Sequence, residues 1–320
     1  MGAAGLLVVE VGLRVVGIGG GARIPEFPKG YFARDANGII EASPGDHFVV
    51  SRRRSTGEPI YRLTYSFDRF GRRITPVEPG AERRRFAIVL GGSFAFGEGA
   101  AANQTLPARI GALTKTYVPY NYGFHGSGPF DALARLDAGN LPEEVPETEG
   151  VGLYLYMDDH INRVNDSSKI AGWHRREVYY RQTADGGFMR DGSFQSAHPW
   201  RTAFYTVLYH SNLLRALGIA VPVRTTSAHL DRTADVLAAI RDRFVAEFAG
   251  SELVVVVYPG SGYAADIRER LTKHGVRSLD YSDLYDRLDP RYRLAPEDSH
   301  PSAAAHELVA RAIVRDLGLE

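Results

Sequence analysis

Between Phe86 and Leu106 the chain reads FAIVLGGSFAFGEGAAANQTL, and the order of its parts decides the fold. The apolar run Phe86, Ala87, Ile88, Val89, Leu90 suits a strand buried on both faces, as in a parallel sheet between helix layers. Gly91 and Gly92 allow a tight bend that a Cβ would resist, and an alanine-rich, helix-like stretch follows Ser93. α/β proteins place a reactive group at the C-terminal end of such a strand, where loops open a crevice and the sheet behind stays rigid. A helix beginning just after Ser93 aims free N–H groups and its positive end at an oxyanion, which makes Ser93 the candidate nucleophile. Taken alone, the segment also fits a serine that only caps a helix.

The far end of the chain supplies partners. Ala295 to Leu317, APEDSHPSAAAHELVARAIVRDL, sets Glu297, Asp298 and His300 in a short polar loop before Pro301. Leu308, Ala312, Ile313 and Leu317 then recur at helical spacing. An acid and a histidine on one loop suit the base half of a Ser-His-acid device, in which the acid orients the imidazole and the imidazole takes the serine proton. Two further blocks lie between. After the apolar Tyr117 to Tyr120 come Asn121, Tyr122, Gly123, Phe124, His125, Gly126, Ser127 and Gly128, a loop where backbone amides approach something closely. The strand-like Val151 to Tyr156 runs straight into Asp158, Asp159 and His160, again placing polar groups at a strand end.

In this order the four blocks resemble the SGNH (GDSL-type) hydrolase superfamily, over a span from about Arg85 to the C-terminus. The likeness is nearest to bacterial envelope or exopolysaccharide-associated esterases and acyltransferases. It implies a three-layer α/β/α sandwich with a central parallel, flavodoxin-like sheet. It also implies Ser93 as nucleophile, the amides of Ser93 and Gly126 as oxyanion donors, and His300 as general base. The superfamily's usual Asp-x-x-His block points to position 297, occupied by Glu297. The Asp-x-His spacing of its polysaccharide-acetylating branch points to Asp298, the favoured acid. The third block normally offers an asparagine amide to the oxyanion, and Asp158 stands there instead. A carboxylate repels a developing oxyanion, and one missing donor costs roughly 10²–10³ in rate. Either His160 or Asn162 replaces the donor, or Asp158 and Asp159 face Arg163 in a structural ion pair.

Strand-to-helix units recur at Phe86 to Leu90, Tyr117 to Tyr120, Val151 to Tyr156, Glu252 to Tyr258 and Val276 to Leu279, an alternation that predicts a parallel sheet between helix layers. Residues 21–84 are rich in Gly, Pro and Arg, with short strand-like pieces such as Tyr61 to Phe67, and read as an irregular extension, and residues 85–320 as the hydrolase-like domain. An insertion at about 165–229 contains a hairpin and a cover whose Trp173, Tyr179, Tyr180 and Trp200 suit either sugar stacking or packing. Residues 1–20 are apolar from Ala3 to Ile18 but carry Glu10 and Arg14, which fits a partial membrane anchor as well as an amphipathic helix. An anchor would place the protein at the bacterial cell envelope, on the periplasmic side of the inner membrane; without one, the cytoplasm is open.

The 38 basic and 38 acidic residues balance, which argues against a dedicated nucleic-acid binder. With no cysteine there is neither a thiol nucleophile nor a thiolate metal site, and no His/carboxylate set has metal-ligand spacing, so no cofactor is expected. The leading expectation is a serine esterase or O-acyltransferase working on O-acyl, chiefly O-acetyl, groups of a carbohydrate. A lipid esterase or thioesterase is the first alternative, and a catalytically weak glycan-binding or assembly protein the second.

Overall fold

The structure, a computed structural model, describes residues 9–13, 21–78 and 82–319. Ahead of the Phe86 run lie β1 (Arg23–Glu26), β2 (Phe32–Arg34), β3 (Ile40–Ala42), β4 (Gly45–Arg53) and β5 (Pro59–Phe67). β1, β4 and β5 form an antiparallel sheet, so the expected irregular extension is corrected to an ordered one. The signal was present in β5, where Tyr61, Leu63, Tyr65 and Phe67 alternate with polar residues at period two. Tyr31, Val49, Tyr65 and Phe67 of this region bury against Phe96 and Phe124, a core shared with the segments that follow Ser93 and Asn121.

The main sheet is built from β6 (Arg85–Gly91), β7 (Tyr117–Gly123), β8 (Gly150–Tyr156), β11 (Glu252–Val257) and β12 (Ser278–Asp280), in the order β12-β11-β8-β6-β7. Each neighbouring pair is parallel. Alternate residues of every central strand go to opposite faces. Phe86, Ile88, Leu90, Tyr154, Tyr156, Val255 and Val257 meet the helices Pro129–Asp137, Ser227–Glu247 and Ala264–Lys273. Ala87, Val89, Leu153, Leu155, Val254 and Val256 meet the helices Leu106–Leu113 and Ala303–Leu317. The result is the three-layer α/β/α sandwich, doubly wound, with its switch point between β6 and β8, where the chain leaves in opposite directions and a crevice opens at the strand ends.

Between β8 and β11 the chain forms the hairpin of β9 (Val178–Gln182) and β10 (Phe188–Ser193), followed by the helices Phe194–Ala197, Pro199–His210 and Asn212–Ala216. Tyr179 and Tyr180 are buried against Phe130 of the Pro129–Asp137 helix, and Tyr180 donates to Asp137 at 2.7 Å. They are packing residues, not a sugar platform. Of the apolar N-terminus, most lies outside the described residues. Glu10 accepts from Ser211 Oγ and the amides of Asn212 and Leu213, docking residues 9–13 on the insertion. Among the described residues no helix is long and apolar enough to cross a membrane.

Candidate active site

Ser93 opens the short helix Ser93–Phe96 directly beyond β6. The bend depends on Gly91, whose φ of +142° lies where side chains rarely go and whose Cβ would stand 3.1 Å from the Leu155 carbonyl. His300 arrives from the C-terminal hairpin of β13 (Arg293–Ala295) and β14 (Asp298–Pro301), its ring against Phe94. Its Nε2 lies 2.8 Å from Ser93 Oγ and its Nδ1 2.5 Å from Asp298 Oδ1. An ionised carboxylate only accepts, so the ring proton sits on Nδ1 and Nε2 is left to accept from the Ser93 hydroxyl. Asp298 is 2% exposed, and its Oδ1 also accepts from the His300 backbone amide at 3.1 Å. Glu297 turns away: its Oε2 faces Arg53 at 3.4 Å. Of the two candidate acids, Asp298 makes the contact.

The loop after β7 converges on the same place. Asn121 donates from its side chain to the Phe96 carbonyl and accepts from Gly123 N, tying β7 to the nucleophile helix. A Cβ on Gly123 would lie 2.3 Å from Phe96 N, so only glycine lets the two segments meet. Gly126 has φ +73°, and the Trp173 indole fills the space a Cβ would take, 2.8 Å from that point. Ser93 N–H belongs to a helix's first turn, which has no acceptor within its own helix.

The third block behaves differently from the oxyanion role expected of it. Asp158 Oδ2 accepts from Gly262 N at 2.6 Å and its Oδ1 from the Tyr156 hydroxyl at 3.4 Å, so the carboxylate is bound to the loop beyond β11. Burial pushes its pKa up, against the amides of Gly262 and Tyr263. Arg163 pairs with Asp159 at 2.7 Å and not with Asp158, which corrects the shared ion pair to a single one. Burial opposes the charge on Asp159, but Arg163 holds its pKa below the ordinary value. Asn162 is spent on Asp159 at 3.4 Å. His160 is fully buried, with Nδ1 3.1 Å from the Tyr154 hydroxyl, and burial depresses its pKa far enough to keep the ring neutral. Behind Gly92, where a Cβ would stand, lie Arg163 Nη1 at 2.7 Å and His160 Nε2 at 3.5 Å.

Sequence reasoning missed the second layer. Glu98, just past the end of the Ser93–Phe96 helix, is 3% exposed and its Oε2 lies 3.6 Å from His300 Nε2. The same oxygen accepts from His125 Nδ1 at 2.5 Å, and Oε1 pairs with Arg23 Nη1 at 2.5 Å. Arg23 Nε also faces Asp298 Oδ2 at 3.4 Å, so one guanidinium from β1 neutralises both carboxylates around the imidazole. Burial works against an ionised Glu98, yet His300, His125 and Arg23 together hold it well below its ordinary value. His125 is itself lowered, chiefly by burial; as a neutral ring it donates from Nδ1 and accepts the Tyr31 hydroxyl at Nε2, 2.8 Å away. The Glu98 signal was legible in GGSFAFGEG; Arg23, seventy residues upstream of the nucleophile, had none. Among the described residues no group of three or more His, Cys, Asp or Glu is arranged to hold a metal ion.

No family model and no curated protein matches this chain. Solved structures do. A lipolytic protein of the G-D-S-L family from Desulfitobacterium hafniense is 14% identical, with 72% of this chain and 98% of that one covered at a TM-score of 0.40. An acetyl-xylooligosaccharide esterase from Geobacillus is 14% identical, covering 75% and 97% at 0.41. A salicylyl-acyltransferase from a tetracycline biosynthetic pathway is 13% identical, covering 75% and 56% at 0.36. At these values the likeness decides nothing by itself: the fold rests on the strand order and the site on its distances.

Proposed function

We propose that this protein is a serine esterase or O-acyltransferase that forms an acyl-enzyme on Ser93. The observation that carries the reading is the continuous hydrogen-bond chain from Ser93 Oγ through His300 to Asp298, at 2.8 and 2.5 Å. Ser93 Oγ attacks the ester carbonyl while His300 Nε2 takes its proton; Asp298 keeps the imidazole in the one useful tautomer and stabilises the imidazolium. The tetrahedral oxyanion is held by the first-turn amide of Ser93 and the amide of Gly126. His300 then returns the proton to the leaving alkoxide. Water or a second hydroxyl resolves the acyl-enzyme by the reverse sequence.

For the substrate, the reading is an O-acyl group, chiefly O-acetyl, on a carbohydrate. Supporting it is the cleft at Ser299, lined also by Ser282, Asp283, Asp286, Arg287 and Arg293, with Tyr285 and Leu288 as its apolar part; Arg287 of this lining stacks on Phe94, the ring that packs against His300. Such a lining is mainly polar and offers hydrogen bonds to hydroxyl groups, which favours a sugar ester over a lipid ester or thioester. The direct test is hydrolysis of a short-chain aryl ester and of an acetylated oligosaccharide. Ser93→Ala and His300→Ala should each abolish turnover, with the double variant little worse than either, because the residues act as one unit. Asp298→Asn should cost roughly 10²–10⁴ in rate while Glu297→Gln stays within a few-fold. Additive losses, or a larger effect at Glu297, would contradict the assignment.

A further inference from the structure

The helix Pro199–His210 has its polarity reversed for a helix that covers a core. Its inward side is Thr202, Tyr205, Leu208 and Tyr209, three of the four with a hydroxyl. Its outward stripe, at spacing i, i+4, i+7, is Trp200, Phe204 and Val207, exposed by 88%, 57% and 70%. The following turns also expose Leu217, Ile219 and Val223, at 63%, 48% and 76%, and Ile219 shares one cavity with Leu208 and Tyr209 at the side of the helix. Isolated exposed apolar residues are ordinary, but an exposed stripe along one helix, with further large apolar side chains exposed in the turns after it, marks an interaction surface.

Charge says what it meets. Between Gly192 and Leu230 there is no aspartate or glutamate, in a chain that carries 38 of them. The same stretch holds Arg201, Arg215 and Arg224, all exposed, of which Arg201 also faces the buried Asp166 at 3.8 Å. Apolar side chains interleaved with arginines, in a stretch that contributes no carboxylate of its own, match an anionic lipid surface, where tryptophan settles at the headgroup boundary; the Glu10 carboxylate that reaches this stretch is taken up by Ser211 and the amides of Asn212 and Leu213. The described N-terminal residues add to this face: Glu10 docks on Ser211 to Leu213, leaving Val9 and Val11 exposed beside it. On its inner side the helix backs onto the site, since the Tyr209 ring fills the space a Cβ on Gly172 would take, next to the Trp173 that covers Gly126.

We infer that this face docks on an anionic phospholipid surface, with Trp200, Phe204 and Val207 in the headgroup–acyl boundary and Arg201, Arg215 and Arg224 against the phosphates. The inference stands independently of the esterase reading. It is tested by flotation of the full chain with vesicles of phosphatidylcholine alone or mixed with phosphatidylglycerol. The protein should float with the mixed vesicles and not with phosphatidylcholine alone, and should be released by about 0.5 M salt. Trp200→Ser with Phe204→Ser should weaken binding at least roughly tenfold while leaving the melting temperature unchanged, because both side chains are already in water. Arg201→Gln, Arg215→Gln and Arg224→Gln together should abolish the preference for phosphatidylglycerol. If the wild type does not float, or the Trp200/Phe204 variant floats equally well, the inference fails. A dimer in solution that this variant dissociates, with no vesicle binding, would assign the face to a second copy of the chain and equally overturn it.

Discussion

Glu297 and Asp298 are adjacent carboxylates with different surroundings, and the surroundings assign their roles. One is half in solvent against Arg53; the other is buried between His300 and Arg23. Asp158 is decided in the same way. Because its carboxylate is held by the Gly262 amide and not aimed at an oxyanion, Asp158→Asn should leave the esterase rate no higher; the weaker bond to Gly262 is offset by loss of a charge that burial disfavours, so the melting temperature should change little. Thermal melts and rates on that one variant check it; a faster enzyme would mean that the carboxylate had been impairing the oxyanion hole. Glu98 gives a pH test. A carboxyl with a folded pKa below its ordinary 4.5 contributes stability that is present above 4.5 and lost as pH falls through the lower folded value. The melting-temperature gap between the wild type and Glu98→Gln should therefore narrow as pH falls below about 4.5. A gap that does not narrow below about 4.5 would show that Glu98 is not held ionised.

At the scale of elements, the nucleophile helix is short and is fixed by what leans on it. Arg73 donates to the carbonyls of Phe96, Gly97 and Ala100, Asn121 donates to Phe96, and Gly123 lets β7 approach. Gly123→Ala would drive a methyl group into the Ala95–Phe96 backbone, so it should cost roughly 1–3 kcal/mol or more and displace Ser93. Calorimetry and ester turnover should fall together; a variant with wild-type stability and rate would show that the approach is not needed. The strands and crossover helices here were legible because each central strand is a continuous apolar run and each helix carries a 3.6-residue stripe. The hairpin of β9 and β10 was legible from Asp185-Gly186-Gly187 between strand-like runs. Of the sheet of β1, β4 and β5, the strand at Tyr61 to Phe67 was legible from its period-two alternation, but the glycine, proline and arginine content around it hid that the strands pair into one sheet.

At the scale of the whole molecule, the N-terminal sheet is part of the candidate site. It sends Arg23 and Arg53 to the C-terminal acid loop, and Tyr61 and Tyr65 toward Glu98 and the Gly99 amide. Arg73 pairs in β-bridges with both Phe67 and Asn121, joining that sheet to the edge of the parallel one. None of these connections has a local sequence signature, since an arginine's partner depends on tertiary approach, not on spacing. Ser93, Asp298 and His300 could be singled out because a nucleophile bend and an acid–base loop each have one. The central claim is that these distant segments assemble one activated serine. Treating the full chain with a fluorophosphonate and mapping the adduct by mass spectrometry tests it most directly. The account predicts a single stoichiometric adduct on Ser93, absent in Ser93→Ala and strongly slowed in His300→Ala. A folded wild-type protein that takes no label, or takes it at another residue, would contradict it.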